Sequence, residues 1–400
     1  MHDTGMSISR RHYDVVIAGA RCAGASTAML LARRGLRVLA VDPVESGRDT
    51  LSTHALMRGA VLQLHRWGLL DAVRSAGTPA IRTTSFHYGD ETITIPIKPR
   101  DGMDALYAPR RTVLDPLLVE GARAAGAEVV HGHGVVDLLR DPDGRVHGAT
   151  VADRERRTLD VSADLVVGAD GVRSRVARIL DVDVDYATPN AGATVYGYWR
   201  GIGLEGNHWF YDVGAGVGAI PTNGGATCVF AGFPRERFAR SGGAGLEALM
   251  REVLEGVSPD LAARVEGAER QGKLRGFAGI AGFLRRSTGP GWALVGDAGY
   301  FRDPITAHGI TDALRDAEAL ARAVTEGDGN LARYQDERDE LVRDLLDITD
   351  RISTYDWTLD EVKGLHLDLS REMKAEVEWM RRWDEGARAS APLESLPQPA

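Results

Sequence analysis

The sequence predicts an α/β fold: a strand–helix–strand domain, an inserted antiparallel β-sheet and a C-terminal helical extension. Three observations support this prediction. Short apolar runs bounded by glycine, typical of buried parallel strands, occur at 13–19, 165–168 and 292–296. Residues 186–233 instead show the period of two that antiparallel strands produce. Residues 331–383 carry charged faces and an apolar stripe at helical spacing.

The composition of the 400-residue chain excludes several classes of protein. Its length suggests two or three domains, and no apolar run approaches the roughly 20 residues of a membrane span. A net charge of −9 argues against nucleic acid as a partner, because such proteins need a basic surface. Two cysteines exclude a disulfide framework, and the N-terminus lacks a secretory pattern. We therefore expect a cytoplasmic protein.

The predicted elements follow one another with clear turn signals between them. Gly35 and Gly126 each end a helix, and Asp141–Gly144 is a turn between two strands. In chain order we predict a strand (13–19), a helix (24–34), a strand (37–41), helical residues (55–75), a hairpin (83–97), a helix (111–125), three meander strands (128–138, 146–152, 158–161), a strand (165–168), several antiparallel strands (186–233), a helix (246–257), a strand (292–296), a helix (309–325) and helical residues 331–383.

The first motif, Gly19-Ala-Arg-Cys-Ala-Gly24, lies between a strand and a helix, as a Rossmann-like dinucleotide fingerprint requires. Gly19 would make the tight turn, and Gly24 would let the helix start close to a diphosphate. Asp42 closes the second strand, where a carboxylate can accept from a ribose hydroxyl. Arg21 replaces the usual middle glycine and could itself contact phosphate.

Two further motifs also follow buried strands directly. They are Ala169-Asp-Gly-Val-Arg-Ser-Arg175 and Gly296-Asp-Ala298, the second with Pro304 and Gly309 downstream. Each motif alone is weak, because Asp-Gly after a strand is usually only a turn. The three motifs in this order, each at a strand end, form a strong signal.

With these motifs, residues 12–330 resemble the flavoprotein monooxygenases of the p-hydroxybenzoate hydroxylase fold, a group that includes flavin-dependent halogenases and geranylgeranyl reductases. The resemblance implies an FAD cofactor held by the glycine turn and by Asp42. It also implies roles in FAD binding for Arg111 at a helix start, for the Asp-Gly motif and for the Gly-Asp motif. The implied cofactor-binding residues are Gly19, Arg21, Gly24, Asp42, Arg111, Asp170, Gly296, Asp297, Pro304 and Gly309.

The resemblance also implies how the chain divides. The FAD-binding domain would be discontinuous (10–80, 105–185 and 275–330), and the substrate domain would comprise 81–104 and 186–274. Residues 331–385 would form the helical region, which packs on the FAD-binding domain or makes a dimer contact. Residues 386–400 would be a disordered tail, since prolines interrupt them.

The active-site rim departs from the family pattern. Gly299-Tyr300 replaces the usual histidine after Gly-Asp-Ala, and Ala307, Gly309 and Thr311 occupy the places of two glycines and an asparagine. His308 in this loop and His54 after the second strand are the only candidates for catalytic groups. For both histidines a purely structural role is at least as good an explanation.

The reaction implied by the resemblance is monooxygenation through a flavin C4a-hydroperoxide, on a hydrophobic aromatic or polycyclic molecule. We expect Tyr196, Tyr198 and Phe210 to face this substrate. The alternative is a reductase acting on a prenyl-like double bond. A halogenase is disfavoured, because residues 216–221 read Gly-Val-Gly-Ala-Ile-Pro where halogenases carry two tryptophans. NADPH or NADH would donate electrons without a second Rossmann fold, or a separate flavin reductase would do so. No metal is expected.

Overall fold

The computed structural model of the chain describes residues 8–240, 245–325 and 331–389. Its strands are β1 (His12–Ala18), β2 (Val38–Asp42), β3 (Thr83–Tyr88), β4 (Glu91–Pro96), β5 (Glu128–His131), β6 (Gly134–Arg140), β7 (Val146–Ala152), β8 (Thr158–Gly168), β9 (Val184–Ala187), β10 (Gly192–Arg200), β11 (Asn207–Asp212), β12 (Ala215–Pro221), β13 (Ala226–Pro234), β14 (Glu269–Arg270), β15 (Arg275–Phe277), β16 (Phe283–Arg285), β17 (Thr288–Gly289), β18 (Trp292–Leu294) and β19 (Tyr300–Phe301).

The helices lie mainly in the first and last thirds of the chain. They are α1 (Cys22–Arg33), α2 (Arg58–Arg66), α3 (Leu70–Ser75), α4 (Arg111–Ala124), α5 (Arg175–Leu180), α6 (Arg235–Arg240), α7 (Gly245–Val257), α8 (Pro259–Glu266), α9 (Gly309–Thr325), α10 (Leu331–Ser353) and α11 (Leu359–Ala389), with single 3₁₀ turns at Asn223–Gly225, Gly296–Ala298 and Pro304–Thr306.

The first sheet has five parallel strands in the order β18–β8–β1–β2–β5, which confirms the predicted α/β class. The central strands are apolar because helices such as α1 cover them. β7 pairs antiparallel with β8, and β6 pairs antiparallel with β7.

Two strand predictions in this region were wrong. Residues 158–168 form one strand, not two, because β8 pairs with β7 up to Ser162 and with β1 from Ser162 onward. Residues 128–138 form two strands, because β5 joins β2 whereas β6 turns away at Gly132 to join β7. Both differences depend on partners distant in sequence.

The second sheet runs β14–β10–β13–β12–β11–β3–β4, so segments 83–96 and 192–270 build one sheet. All its pairs are antiparallel except β11 with β3. β4 lies at an edge, as Pro96 predicted. A three-stranded sheet, β19–β16–β9, lies apart from these two.

The C-terminal helices pack on the rest of the chain rather than standing free. α10 contacts α9, and α11 contacts α2 and α10. Between them, Tyr355 has a positive φ of 58° and inserts its ring beside Gly192 and Gly232 of the second sheet. α11 extends to Ala389, beyond the predicted end of the helical region at 385. The remainder of the predicted tail, 390–400, lies outside the described residues.

We predict that Gly232→Ala lowers the free energy of unfolding by about 1–3 kcal/mol, because the new methyl would overlap the Tyr355 hydroxyl. That hydroxyl is buried and accepts or donates no hydrogen bond in the described structure, so Tyr355→Phe should be neutral or stabilising. The double variant should recover part of the loss in urea unfolding. If the changes in unfolding free energy of the two single variants simply add in the double variant, this packing is contradicted.

Candidate functional site

Two residues of the turn after β1, Gly19 and Gly24, must be glycine because the surrounding backbone leaves no space for a Cβ. A Cβ on Gly19 (φ 103°) would overlap the carbonyl oxygen of Ala169, and a Cβ on Gly24 would overlap that of Gly19. Gly24 is therefore required because the start of α1 lies very close to the turn that precedes this helix. Arg21 precedes α1 with extended backbone and makes no capping bond through its side chain.

The Asp42 carboxylate is at the end of β2 and is 6% exposed. Its two oxygens accept from the N–H groups of Ala20 (3.0 Å) and Val44 (2.8 Å). Asp42 therefore ties the glycine turn to the second strand, and it also lines a cavity of about 590 Å³, hereafter the cavity.

Arg111 begins α4 and lines the same cavity. Its guanidinium donates to both oxygens of Asp115, at 2.8 and 3.0 Å, and Cys22 donates a third, weaker bond to that carboxylate. Burial raises the pKa of Cys22 well above its usual range, so the thiol is an unreactive packing group.

Asp170 performs a structural task at the start of α5. It accepts from Ser174 Oγ (2.5 Å) and from the N–H groups of Arg175 (2.6 Å) and Val176 (3.2 Å). The neighbouring Gly171 and Arg173 also line the cavity. A direct role of Asp170 in cofactor binding stays a prediction.

The third motif brings acidic groups to the cavity wall. Gly296 has a φ of 58° and donates its N–H to Asp316. Asp297 lines the cavity, and its pKa is raised to about 7 because burial and the nearby Asp312 disfavour its charge. The positive charge of Arg111 acts to lower the pKa of Asp297, but its effect is smaller than that of burial and Asp312.

The segment 304–309 presents Pro304, Ala307 and Gly309 to the cavity. The direction of His308, which the sequence left open, is away from this cavity. Its Nε2 lies 2.7 Å from Glu376 Oε2 of α11, and the residue is not part of the cavity lining. The left-handed conformation of Ala307 (φ 51°) precedes His308, which faces α11 instead.

The aromatic face of the second sheet is defined by strand register. Tyr196 pairs with Phe230, Phe230 with Gly218, and Gly218 with Trp209, so these residues share one face. Tyr196 lines the cavity and Tyr198 is buried beside it.

The prediction for Phe210 was wrong. Alternation along β11 places it on the opposite face from Trp209, where its ring stacks on His87 with 4.1 Å between centroids. The residue packs among the apolar side chains beneath α7, away from the cavity. Its partner strand, β3, comes from a distant segment, so this stacking had no local signal.

His54 is buried, lines the cavity and has a positive φ of 67°. Its Nε2 is hydrogen-bonded to the Tyr198 hydroxyl, and Arg110 lies over the Tyr198 ring at 3.7 Å. Burial and three arginines hold the pKa of His54 well below its usual range. His54 is therefore neutral near pH 7.

One cavity of about 590 Å³ connects these groups. It extends from the glycine turn and Asp42, past Arg111 and Asp297, to the second sheet at Tyr196. Eight of the ten residues predicted to hold a cofactor thus border one continuous space with part of the aromatic face, whereas Gly24 and Gly296 are not in its lining.

Comparisons with known proteins agree with this architecture. Residues 12–198 match the family model described as FAD binding domain. These residues carry an FAD-binding domain, and the architecture of the chain is similar to that of the FAD-binding superfamily with the p-hydroxybenzoate hydroxylase fold. It is an FAD-dependent oxidoreductase.

Three relatives illustrate the range within this superfamily. Digeranylgeranylglycerophospholipid reductase of Methanothrix thermoacetophila is 29% identical, over 79% of each chain. Squalene monooxygenase of Candida glabrata is 25% identical, over 86% of this chain and 76% of its own length. The structure of Pseudomonas aeruginosa PqsL in complex with 2-aminobenzoylacetate is 25% identical, with a TM-score of 0.76, over 89% of this chain and 99% of its own.

The cavity end at α1 fits the diphosphate of FAD. The first turn of this twelve-residue helix has no acidic residue, and its first residues, Cys22 and Ala23, line the cavity together with Arg21. A helix N-terminus with a nearby arginine stabilises phosphate charge. Asp42 and Asp297 line the same cavity, and their bonds to hydroxyl groups of the cofactor stay a prediction.

Several residues that line the cavity were not predicted from the sequence. Arg302 and Asp312 line the cavity and form a buried ion pair, and Phe277 and Phe301 supply apolar wall. The only sequence signal was their position near the third motif. Among the described helices, none combines the length and apolar character needed to cross a bilayer.

We predict that Asp297→Asn stabilises the FAD-free protein by about 1–3 kcal/mol at pH 8 while it weakens FAD binding. A raised folded-state pKa means that stability falls between about pH 4, where the unfolded carboxyl ionises, and about pH 7. The amide removes this loss, so the gain should vanish near pH 4. Urea unfolding at several pH values and FAD titration measure both effects; an equal gain at all pH values would contradict the assignment.

Proposed function

We propose that this oxidoreductase is a monooxygenase that hydroxylates or epoxidises a hydrophobic aromatic or polycyclic molecule. The observation that carries the proposal is the shared cavity, because residues suited to FAD and residues of the aromatic sheet border the same space. A substrate held against Tyr196 would need no movement between separate compartments to meet the cofactor.

The walls of the cavity near the second sheet include several large apolar side chains. Tyr196 comes from β10, Phe277 from β15, Phe301 from β19 and Ile310 from α9. Such walls bind a hydrophobic substrate and keep water away from reactive oxygen species. This supports a reaction in which oxygen is transferred to the substrate rather than lost as peroxide.

His54 and Tyr198 can manage a proton at this site. Burial raises the pKa of Tyr198 well above its usual range, while the pKa of His54 is lowered. Both groups are therefore neutral near pH 7, and their hydrogen bond can relay a proton when His54 releases one proton as it accepts another, so that neither side chain becomes charged. A neutral pair costs less in this environment than a buried charge.

FAD and the protein chain would contribute different parts of this reaction. FAD, when bound, supplies the redox chemistry and the reaction with oxygen. The chain binds it at the α1 turn, encloses the substrate and holds the proton at His54 or Tyr198. Whether NADPH, NADH or a separate flavin reductase delivers electrons stays a prediction.

A reductase acting on a hydrophobic, prenyl-like double bond is the second candidate, and the 29% identity to a digeranylgeranylglycerophospholipid reductase favours it. A halogenase is less well supported. Gly216 and Gly218 lie against the rings of Tyr211 and Phe230, which leaves no room for tryptophan. Among the described cavity-lining residues there is no lysine.

Isotope labelling separates these functions. FAD-loaded protein is reduced and supplied with ¹⁸O₂ and squalene, 2-aminobenzoylacetate or a digeranylgeranyl phospholipid as probes. We expect mass spectrometry to show one ¹⁸O atom in the product of a hydrophobic probe. A product that instead gains two hydrogens under anaerobic conditions would establish the reductase and overturn the monooxygenase.

We further predict that His54→Gln and Tyr198→Phe each lower turnover by about 10²–10⁴-fold, with FAD binding retained, because the proton path is broken. His208→Gln, which changes a histidine on the opposite side of the second sheet, is the matched control. Wild-type turnover should show no titration at the usual histidine pKa. Unchanged turnover in both site variants would remove the pair from the reaction.

A further inference from the structure

A cluster of buried charges connects the cavity wall to the C-terminal helix α11. We call Arg302, His308, Asp312, Arg315 and Glu376 the buried charge cluster. Every one of these side chains is 3% exposed or less. Four of them come from residues 302–315, whereas Glu376 comes from the middle of α11, about sixty residues later.

Glu376 joins two separate parts of the cofactor site. Its Oε2 lies 2.7 Å from His308 Nε2, and its Oε1 accepts from Arg315 Nη1 at 2.5 Å. The same Arg315 nitrogen donates to Asp312 at 2.6 Å, and Asp312 accepts from Arg302 at 3.0 Å. The chain of bonds therefore runs from α11 to two residues of the cavity wall.

The link to His308 bears on the segment at the cavity. Ala307 and Gly309 line the cavity on either side of His308, whose own side chain faces α11. Ala307 holds a left-handed conformation that ordinary residues rarely adopt. A tether on His308 therefore fixes the backbone of both neighbours.

The cluster is an ion-pair network rather than a metal site. His308, Asp312 and Glu376 have suitable ligand atoms close together. However, Arg302 and Arg315 already donate to the carboxylates and bring two positive charges. Burial alone would raise the pKa of Glu376, but His308 and the arginines lower it well below its usual range. Glu376 is therefore a fixed negative charge.

We propose that Glu376 is a positioning residue for the FAD site: through His308 it fixes the 307–309 segment, and through Arg315 it balances the charge beside the cofactor. This rests on the FAD site described above, but not on the choice between monooxygenase and reductase. On this view α11 is part of the cofactor site, although it lies outside the FAD-binding segments predicted from the sequence.

Two substitutions separate charge from geometry. Glu376→Gln keeps the size but removes the charge, so it should favour the reduced, more negative cofactor. We expect at least about a tenfold change in the ratio of affinities for reduced and oxidised FAD, which is an upward shift of about 30 mV in the two-electron potential. Glu376→Asp keeps the charge but shortens the reach; it should weaken FAD binding about tenfold and leave the potential nearly unchanged.

Glu378→Gln is the matched control, since Glu378 lies two residues farther along α11 and is half exposed in surface ion pairs with Arg100 and Arg381. His308→Leu is a second test should Glu376→Gln fail to fold, because it cuts the tether while Arg315 keeps Glu376 as a partner. It should weaken FAD binding in a folded protein.

The readouts are FAD titration, equilibrium reduction against a reference dye, and thermal unfolding. A shifted potential in folded Glu376→Gln, with Glu378→Gln at the wild-type value, would support the proposal. FAD affinity and potential within twofold of wild type in every folded variant would overturn it, as would lower stability with an unchanged potential in Glu376→Gln. These measurements need no substrate, so failure of the proposed monooxygenase reaction would leave them unaffected.

Discussion

The contact between the Gly19 backbone and the Ala169 carbonyl is the constraint on which the site depends. It joins the turns that follow β1 and β8, which are adjacent parallel strands paired up to Ala18 and Gly168. Because parallel strands end at the same edge of a sheet, Asp42 and Gly296 come to that edge as well. The cavity extends along this edge, and a larger residue at position 19 would separate the two turns.

A second requirement is that the aromatic face of the second sheet remains packed against that edge of the first sheet. Ser52 donates its N–H to the Tyr196 hydroxyl at 3.0 Å, and Tyr198 reaches His54 two residues later. Asp49 adds ion pairs to Arg110 and Arg275 at 2.9 and 3.1 Å. The segment after β2 therefore fastens the two sheets together and forms part of the cavity wall. The same residues serve closure and proton handling, so the two properties cannot vary independently.

The parts of the structure that could be predicted from the sequence were those with local causes. A buried strand followed by a glycine turn defines its own geometry, so the positions of Gly19, Asp42 and Asp297 at strand ends followed from the motifs. Phe210 and His308 could not be placed in this way. The sheet face that lines the cavity depends on which strands pair, and the direction of His308 depends on Glu376, 68 residues away. Long-range partners leave no periodic trace in the residues near the motif.

The C-terminal helices make long-range contacts of the same kind. Tyr355 fills the space above Gly192 and Gly232, the His366 ring of α11 packs at a tilt against Tyr211 with 4.5 Å between centroids, and Glu376 pairs with buried cations. Each contact satisfies a group that would otherwise be an exposed ring or an unpaired buried charge, which is costly. The first two lie on the second sheet and the third behind the 307–309 segment, so α10 and α11 hold both walls of the cavity. A helical extension with these contacts cannot be removed without altering the space in which the cofactor and substrate meet.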